Sequence, residues 1–289
     1  MPYIGRFAPS PTGPLHFGSL VAAVASYCDA RANHGHWRLR IEDLDTPRTV
    51  AGATDAIFHT LLSYGFSWDG DIIYQSKRHA VYQAALDQLK LQTTVYPCTC
   101  SRKAISEIAT QTGLEGPIYP QTCLRQPIKA NRPLAWRFKS ASQLVTFNDR
   151  FLGIQTQNMA TEIGDFIVKR ADGLFAYQLA VVVDDAAQGI THVVRGADLL
   201  SSTARQIALQ DALGYSHPSY AHIPIVNNAL GQKLSKQTQA AALPLEDISQ
   251  QLYQALVFLH LRPPKHLASA SISACWAWAI QAWANSDRT

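Results

Sequence analysis

Pro9-Ser10-Pro11-Thr12-Gly13-Pro14-Leu15-His16-Phe17-Gly18-Ser19 follows a short apolar strand candidate, Tyr3 to Ala8, and leads into an alanine-rich stretch of helical period, Ser19 to Arg31. A strand running into a turn that opens a helix places backbone amides, a hydroxyl and an imidazole at a helix N-terminus, where anions bind well. Gly18 allows close backbone approach, the amides after Ser19 offer donors to phosphate oxygens, and His16 can bond a phosphate or the group being transferred. Far downstream, Lys233-Leu234-Ser235-Lys236-Gln237 carries two ammonium groups able to close over the same anion and neutralise a departing pyrophosphate. Together the segments predict the two halves of one triphosphate site that activates a carboxylate.

Outward from the turn, the elements alternate. Gly35 is expected to close the first helix, and Trp37 to Ile41 reads as a second strand ending in Glu42-Asp43-Leu44-Asp45. Ala51 to Tyr64 is a helix stopped by Gly65, and Arg78 to Leu91 is a third. This order predicts a parallel sheet with crossover helices. After Val95 the rhythm breaks into a proline-rich, weakly periodic stretch, 96–135, that reads as an inserted module. Alternation resumes with strands at Ala180 to Val183 and Ile190 to Val194, a helix from Thr203 to Leu213 capped by Gly214, and a strand from Ala221 to Val226 just before the lysine loop. Two helices, Leu245 to Leu261 and Ser271 to Ala284, end the chain, with Trp276, Trp278 and Trp283 as core or interface anchors. Ligands of open α/β sheets sit beyond the carboxyl ends of strands at the switch point, where both segments would fall.

The chain has 289 residues, 47% hydrophobic and 16% charged, which suits a soluble protein with more than one folding unit. No apolar run approaches the roughly 20 residues of a membrane span, and no export signal opens the chain, so a cytoplasmic location without membrane attachment is expected. The net charge of +4 is mild, but between 101 and 140 seven basic residues face two acidic ones. That excess suits either a phosphate-facing surface or a merely solvated basic face. Five cysteines do not suggest a disulfide framework. Cys98, Cys100 and Cys123 group three thiols within 26 residues, enough for a tetrahedral zinc site lacking one ligand, or simply three free thiols. Cys28 and Cys275 read as helix residues with no chemical task.

The two motifs resemble the His-x-Gly-His and Lys-Met-Ser-Lys-Ser signatures of class I aminoacyl-tRNA synthetases. Arg6-Phe7-Ala8-Pro9-Ser10-Pro11-Thr12-Gly13, Arg40-Ile41-Glu42-Asp43 and Val183-Asp184-Asp185 through Ile190-Thr191-His192-Val193-Val194-Arg195-Gly196 narrow the likeness, over roughly residues 3–240, to glutamyl-tRNA synthetases. Ser19 stands where the first motif often has its second histidine, and Gln237 ends the second in place of serine. The resemblance implies a Rossmann-like doubly wound parallel α/β sheet with a zinc-containing insertion and a short helical C-terminal part. Its halves would span 1–95 and 180–240, the insertion 96–179 would carry the zinc and an RNA-facing surface, and 241–289 would be helical.

Two carboxylates and an ammonium must be met in a glutamate pocket. Arg6 and Arg195 suit the carboxylates, Glu42 the ammonium, and Ser10 and Tyr177 add neutral bonds. The competing reading is ordinary ion pairing, Arg40 with Glu42 or Arg195 with Asp184 or Asp198. The resemblance matches the five pocket residues to glutamate binding, assigns ATP to His16, Gly18, Ser19 and Lys236, and gives catalytic roles to His16, Lys233 and Lys236. It also makes Tyr119 the fourth zinc ligand beside Cys98, Cys100 and Cys123. Only about fifty residues follow Gln237, too few for the anticodon-reaching domains of standard glutamyl-tRNA synthetases. The pattern therefore looks like the truncated paralogues that attach glutamate to queuosine in tRNA(Asp), with ATP and Mg²⁺, one structural Zn²⁺ and a monomeric state expected. A short conventional synthetase acting on tRNA(Glu), a silent glutamate or adenylate sensor, and a small-molecule adenylyltransferase are the rival readings.

Overall fold

The computed structural model describes residues 2–128, 131–141, 143–227 and 241–286. The Lys233–Gln237 loop, with Lys233 and Lys236, lies outside them. In chain order the elements are β1 (Ile4–Phe7), α1 (Phe17–Ala32), β2 (His36–Ile41), α2 (Ala53–Ser63), β3 (Ile73–Tyr74), α3 (His79–Leu91) and β4 (Val95–Cys98). The middle segment adds α4 (Arg102–Ile108), β5 (Thr112–Gly113), β6 (Gly116–Pro117), α5 (Thr122–Arg125), β7 (Ala135–Phe138), β8 (Leu144–Asp149), β9 (Gly153–Asn158) and β10 (Phe166–Lys169). Then follow α6 (Tyr177–Ala187), β11 (His192–Gly196), α7 (Thr203–Leu213), β12 (Ser219–Ile223), α8 (Ile248–Phe258) and α9 (Ile272–Ala284).

β1, β2 and β3 pair in parallel, as do β11, β12 and β8, while β9 runs antiparallel to β8. The Thr191 amide donates to the Ile4 carbonyl at 2.9 Å and joins the two groups at β1 and β11. From β1 the chain builds outward through β2 and β3, and from β11 it builds the other way through β12. The β1–β11 seam is therefore the switch point, as the sequence predicts. Successive strand residues divide between two cores, with Val194 and Ala221 in one and Val193 and Tyr220 in the other. The first core holds α1, α8 and α9, the second α3, α6 and α7.

The expected insertion, 96–179, holds a separate antiparallel sheet, β10-β7-β4, yet its β8–β9 hairpin joins the main sheet beside β12.

One expected strand is a helix. Ala180 to Val183 lies inside α6, where Leu179 through Asp185 are all buried. Burial on every side removes the polar stripe that reveals helical period, so a four-residue β-branched run reads as a strand. Gly35 does not cap α1 with a left-handed turn either; His34 takes that conformation, with φ 52°. Glycine is needed one residue later because a Cβ there would lie 2.4 Å from the Tyr3 carbonyl oxygen, which accepts the His36 amide at the start of β2. Gly214, at φ 73°, does close α7 as expected. Cys28 and Cys275 are buried on α1 and α9. Trp276 and Trp283 are buried at the α9 contact, bonding the Tyr64 carbonyl and Asp29, and Trp278 packs at its margin. Among the described residues no helix is long and apolar enough to cross a membrane.

Candidate active site

The ends of β1 and β11 open into a cavity of about 840 Å³. Arg6, Ser10, His16, Gly18, Ser19, Glu42, Tyr177 and Arg195 all line it, so the described part of the expected site converges on one space. The proline-rich turn is fixed by its neighbours: the Pro9 carbonyl accepts the Glu42 amide at 3.0 Å, Pro11 accepts Val50, and Leu15 accepts Leu243. Glu42 thereby sits directly against the turn that leads into α1.

His16 is the N-cap of α1. Its Nδ1 accepts the Ser19 amide at 3.3 Å, and its carbonyl accepts Leu20 at 3.0 Å. This corrects the expected donors. The amides after Ser19 are used within the helix, and the first-turn amides without an intrahelical acceptor are those of Phe17 and Gly18. With Nδ1 engaged as an acceptor, a neutral imidazole carries its proton on Nε2.

Arg6, Arg40 and Arg195 are all buried, but their surroundings differ. Arg6 Nε donates to Asp185 at 3.3 Å, and Arg40 reaches the same Asp185 oxygen at 2.8 Å and Glu42 at 3.4 Å. The expected Arg40–Glu42 pair therefore exists. Asp184 is not a partner of Arg195. It is wholly buried and takes bonds from Gln75, Arg78 and Tyr82 at 2.6 to 2.8 Å. Among the described residues no carboxylate lies within ion-pair distance of Arg195, so neither the Asp184 nor the Asp198 pairing occurs. Its four bonds go to His222, Gln206, the Leu199 carbonyl and Thr203, all neutral partners.

Burial raises the Glu42 carboxyl above its ordinary range, with Arg40 and Arg6 only partly opposing it. Asp185, equally desolvated, is held below its range by those same two arginines. Burial also raises the Tyr177 hydroxyl, with Arg195 working against it and Glu42 adding to it. Of the three buried guanidinium groups, Arg6 and Arg40 contact carboxylates and Arg195 does not.

Away from the cavity, the Cys98, Cys100 and Cys123 sulfurs lie within 4.8 Å of one another. The Tyr119 hydroxyl is 3.4 Å from Cys98 Sγ and 3.5 Å from Cys100 Sγ. Ligand bonds of about 2.3 Å in a tetrahedron set sulfurs about 3.8 Å apart, so the cluster fits zinc. Burial alone would raise the Cys123 thiol, but hydrogen bonds from Tyr119, Thr99, Cys100 and Cys98 bring it down to about 7. Arg137, which the sequence left as one basic residue among seven, donates Nε–H to Cys98 Sγ at 3.2 Å and stacks on Tyr119. Asp185, Arg40 and Arg137 escaped sequence reasoning as site residues. Their partners are distant in sequence, though Asp185 stood in plain view inside the Val183-Asp184-Asp185 motif.

Residues 4–261 match the family described as tRNA synthetases class I (E and Q), catalytic domain. A Dechloromonas aromatica protein named glutamyl-Q tRNA(Asp) synthetase is 54% identical over 98% of this chain and 94% of its own. One of the same name from Thiobacillus denitrificans is 55% identical over 97% and 93%. Among solved structures, a glutamate tRNA ligase from Elizabethkingia meningosepticum superposes with a TM-score of 0.70 at 29% identity, over 82% of this chain. The chain spans about half, 52%, of that ligase. Methionyl-tRNA synthetase of Mycobacterium tuberculosis shares the fold, with a TM-score of 0.53 at 10% identity. The chain belongs to the class I tRNA synthetases of the E and Q type, in the branch whose curated members are named glutamyl-Q tRNA(Asp) synthetase.

Proposed function

We propose that the cavity activates L-glutamate with ATP and that the glutamyl group then passes to the cyclopentenediol of queuosine at the wobble position of tRNA(Asp). The observation that carries this reading is Arg195, a buried guanidinium with only neutral partners in the wall shared by Arg6 and Glu42. A buried guanidinium with no carboxylate in contact suits glutamate, which brings two carboxylates and one ammonium. Arg6 and Arg195 take carboxylates, Glu42 takes the ammonium, and Ser10 and Tyr177 complete the polar wall. The nucleotide identity and the RNA partner follow the relatives' names.

In the first step an α-carboxylate oxygen attacks the α-phosphorus of ATP, and the bond to pyrophosphate breaks in line. His16, the first-turn amides of Phe17 and Gly18 and the Ser19 hydroxyl hold phosphate oxygens, while Lys233 and Lys236 meet the leaving pyrophosphate. Mg²⁺ accompanies ATP as its counter-ion. In the second step a hydroxyl of the modified nucleoside attacks the glutamyl carbonyl, loses its proton and releases AMP. No side chain becomes covalent; the residues orient the reactants and stabilise charge. Cys98, Cys100, Tyr119 and Cys123 would hold one Zn²⁺, whose role is to pin the middle segment rather than to react. The basic stretch between 101 and 140 would meet RNA phosphate.

Isotopic exchange between pyrophosphate and ATP tests the first step. Exchange should require L-glutamate, fail with L-glutamine, and fall at least about a hundredfold in Lys236→Ala, the size of a lost charge contact in a transition state. Full exchange without glutamate, or in Lys236→Ala, would overturn the assignment.

A further inference from the structure

Three neighbouring strands supply a line of side chains behind the cavity. On β11, Arg195 stands in register with His222 on β12, and Asp149 closes β8 on the far side of His222. Asp149 Oδ2 lies 2.6 Å from His222 Nδ1, and Arg195 Nε donates to His222 Nε2 at 3.0 Å. All three residues are buried, His222 and Asp149 almost completely. The Asp149 carboxylate is itself fixed, since Oδ1 accepts the amides of Phe151, Leu152 and His222.

These contacts admit one arrangement of protons. Arg195 can only donate, so His222 Nε2 must be an acceptor, and the imidazole proton sits on Nδ1 facing Asp149. A proton on Nε2 would set two donors, that N–H and the guanidinium N–H, against each other, and a fully protonated ring would also add a second positive charge beside Arg195. The other side of Arg195 is braced in a similar way: Nη1 donates to Gln206 Oε1 at 2.8 Å, and Gln206 Nε2 bonds Gln178 at 3.1 Å. The guanidinium is thus oriented without a carboxylate touching it. The Asp149 carboxylate is kept one imidazole away.

We propose that the Asp149–His222 pair is a positioning device: it fixes the Arg195 fork for an incoming carboxylate while leaving the arginine charge unspent. Direct contact with an aspartate would orient Arg195 equally well, but it would neutralise the charge that separates a carboxylate from an amide. His222 is then a positioning residue with a determining effect on substrate choice. This inference rests on the glutamate-activation reading.

The test uses the full-length protein with His222→Asn and His222→Gln. Asparagine can keep the Nδ1-type donor to Asp149 but cannot reach Arg195. Glutamine places an acceptor near the Nε2 position. His222→Asn should raise the glutamate KM at least about tenfold, as for a lost bond to a charged group, with KM for ATP and Tm little changed. Glutamate-over-glutamine preference should shrink by a similar factor, and His222→Gln should restore much of both. An unchanged glutamate KM in His222→Asn, or parallel loss of ATP affinity and Tm in both variants, would overturn the proposal. ¹⁵N-resolved NMR of wild-type His222 gives an answer independent of catalysis. The Nδ1–H neutral tautomer is expected, and the Nε2–H tautomer or an imidazolium at neutral pH would overturn the proposal even if glutamate proves not to be the substrate.

Discussion

Glu42 and Arg195 sit in one wall and lack opposite things. Glu42 is a desolvated carboxylate whose pKa is raised despite two arginines, so the charged form gains most from a further cation. Acid protonates Glu42 and, on the proposed assignment, removes the partner for the substrate ammonium. The glutamate KM should therefore climb as pH falls, beginning above the ordinary glutamate value of about 4.3. Glu42→Gln should raise KM at all pH values and flatten this acid limb; an unaltered limb in the variant would assign it elsewhere. Arg195→Lys keeps the charge but loses the planar fork that makes the four bonds, and should lower kcat/KM for glutamate by about 30-fold or more, the cost of about 2 kcal/mol in bonds to a charged group. Near-wild-type kinetics would show that Arg195 does not bind substrate. Arg6, Glu42 and Arg195 were legible in the chain because they lie inside compact motifs. Asp149 and His222 were not, since nothing local marks a residue whose partner is 73 positions away.

The helices and sheets show the same division. The turn from Pro9 to Ser19 reads correctly because proline, glycine and a capping side chain leave little choice of backbone. α6 does not, because it is buried on all sides and its apolar run looks like a strand. Its burial also explains Asp184 and Asp185: a helix threaded through the core carries two carboxylates that anchor Arg78, Arg6 and Arg40. The thiol cluster was legible as a spacing, but the Arg137 contact with Cys98 arises only when β7 pairs with β4. Replacing Cys98 and Cys123 together by serine should reduce bound zinc from about one per chain to well below that, as measured by metal analysis of purified protein. Undiminished zinc would move the metal elsewhere. At the other end of the chain, α9 docks through Trp283, which is 2% exposed and bonds Asp29 at 2.9 Å. Trp283→Ala should destabilise the fold by about 3–5 kcal/mol in denaturant unfolding, and a cost below about 1 kcal/mol would mean α9 is dispensable.

Taken whole, the molecule brings residues from both halves of a parallel sheet to one cavity, and it does so at the seam where strand order reverses. The sequence pointed to this seam through the Pro9–Ser19 motif placed after a strand; the Lys233–Gln237 motif lies outside the described residues. What the alternation of elements could not show is that β8 and β9 leave the middle segment to extend the main sheet, tying Asp149 to the substrate wall through β12. The Pro9–Ser19 turn, the Arg6–Glu42–Arg195 wall and the thiol cluster thus belong to one chain framework, to which the proposed reading adds the basic 101–140 stretch as an RNA contact. The most direct measurement supplies the protein with ATP, radiolabelled glutamate and tRNA(Asp) that either carries or lacks queuosine, and then maps the label by nuclease digestion. Label confined to the queuosine nucleoside, and absent from RNA without it, is the expected result; label on the terminal adenosine of tRNA(Glu), or no transfer to either RNA, would contradict the account.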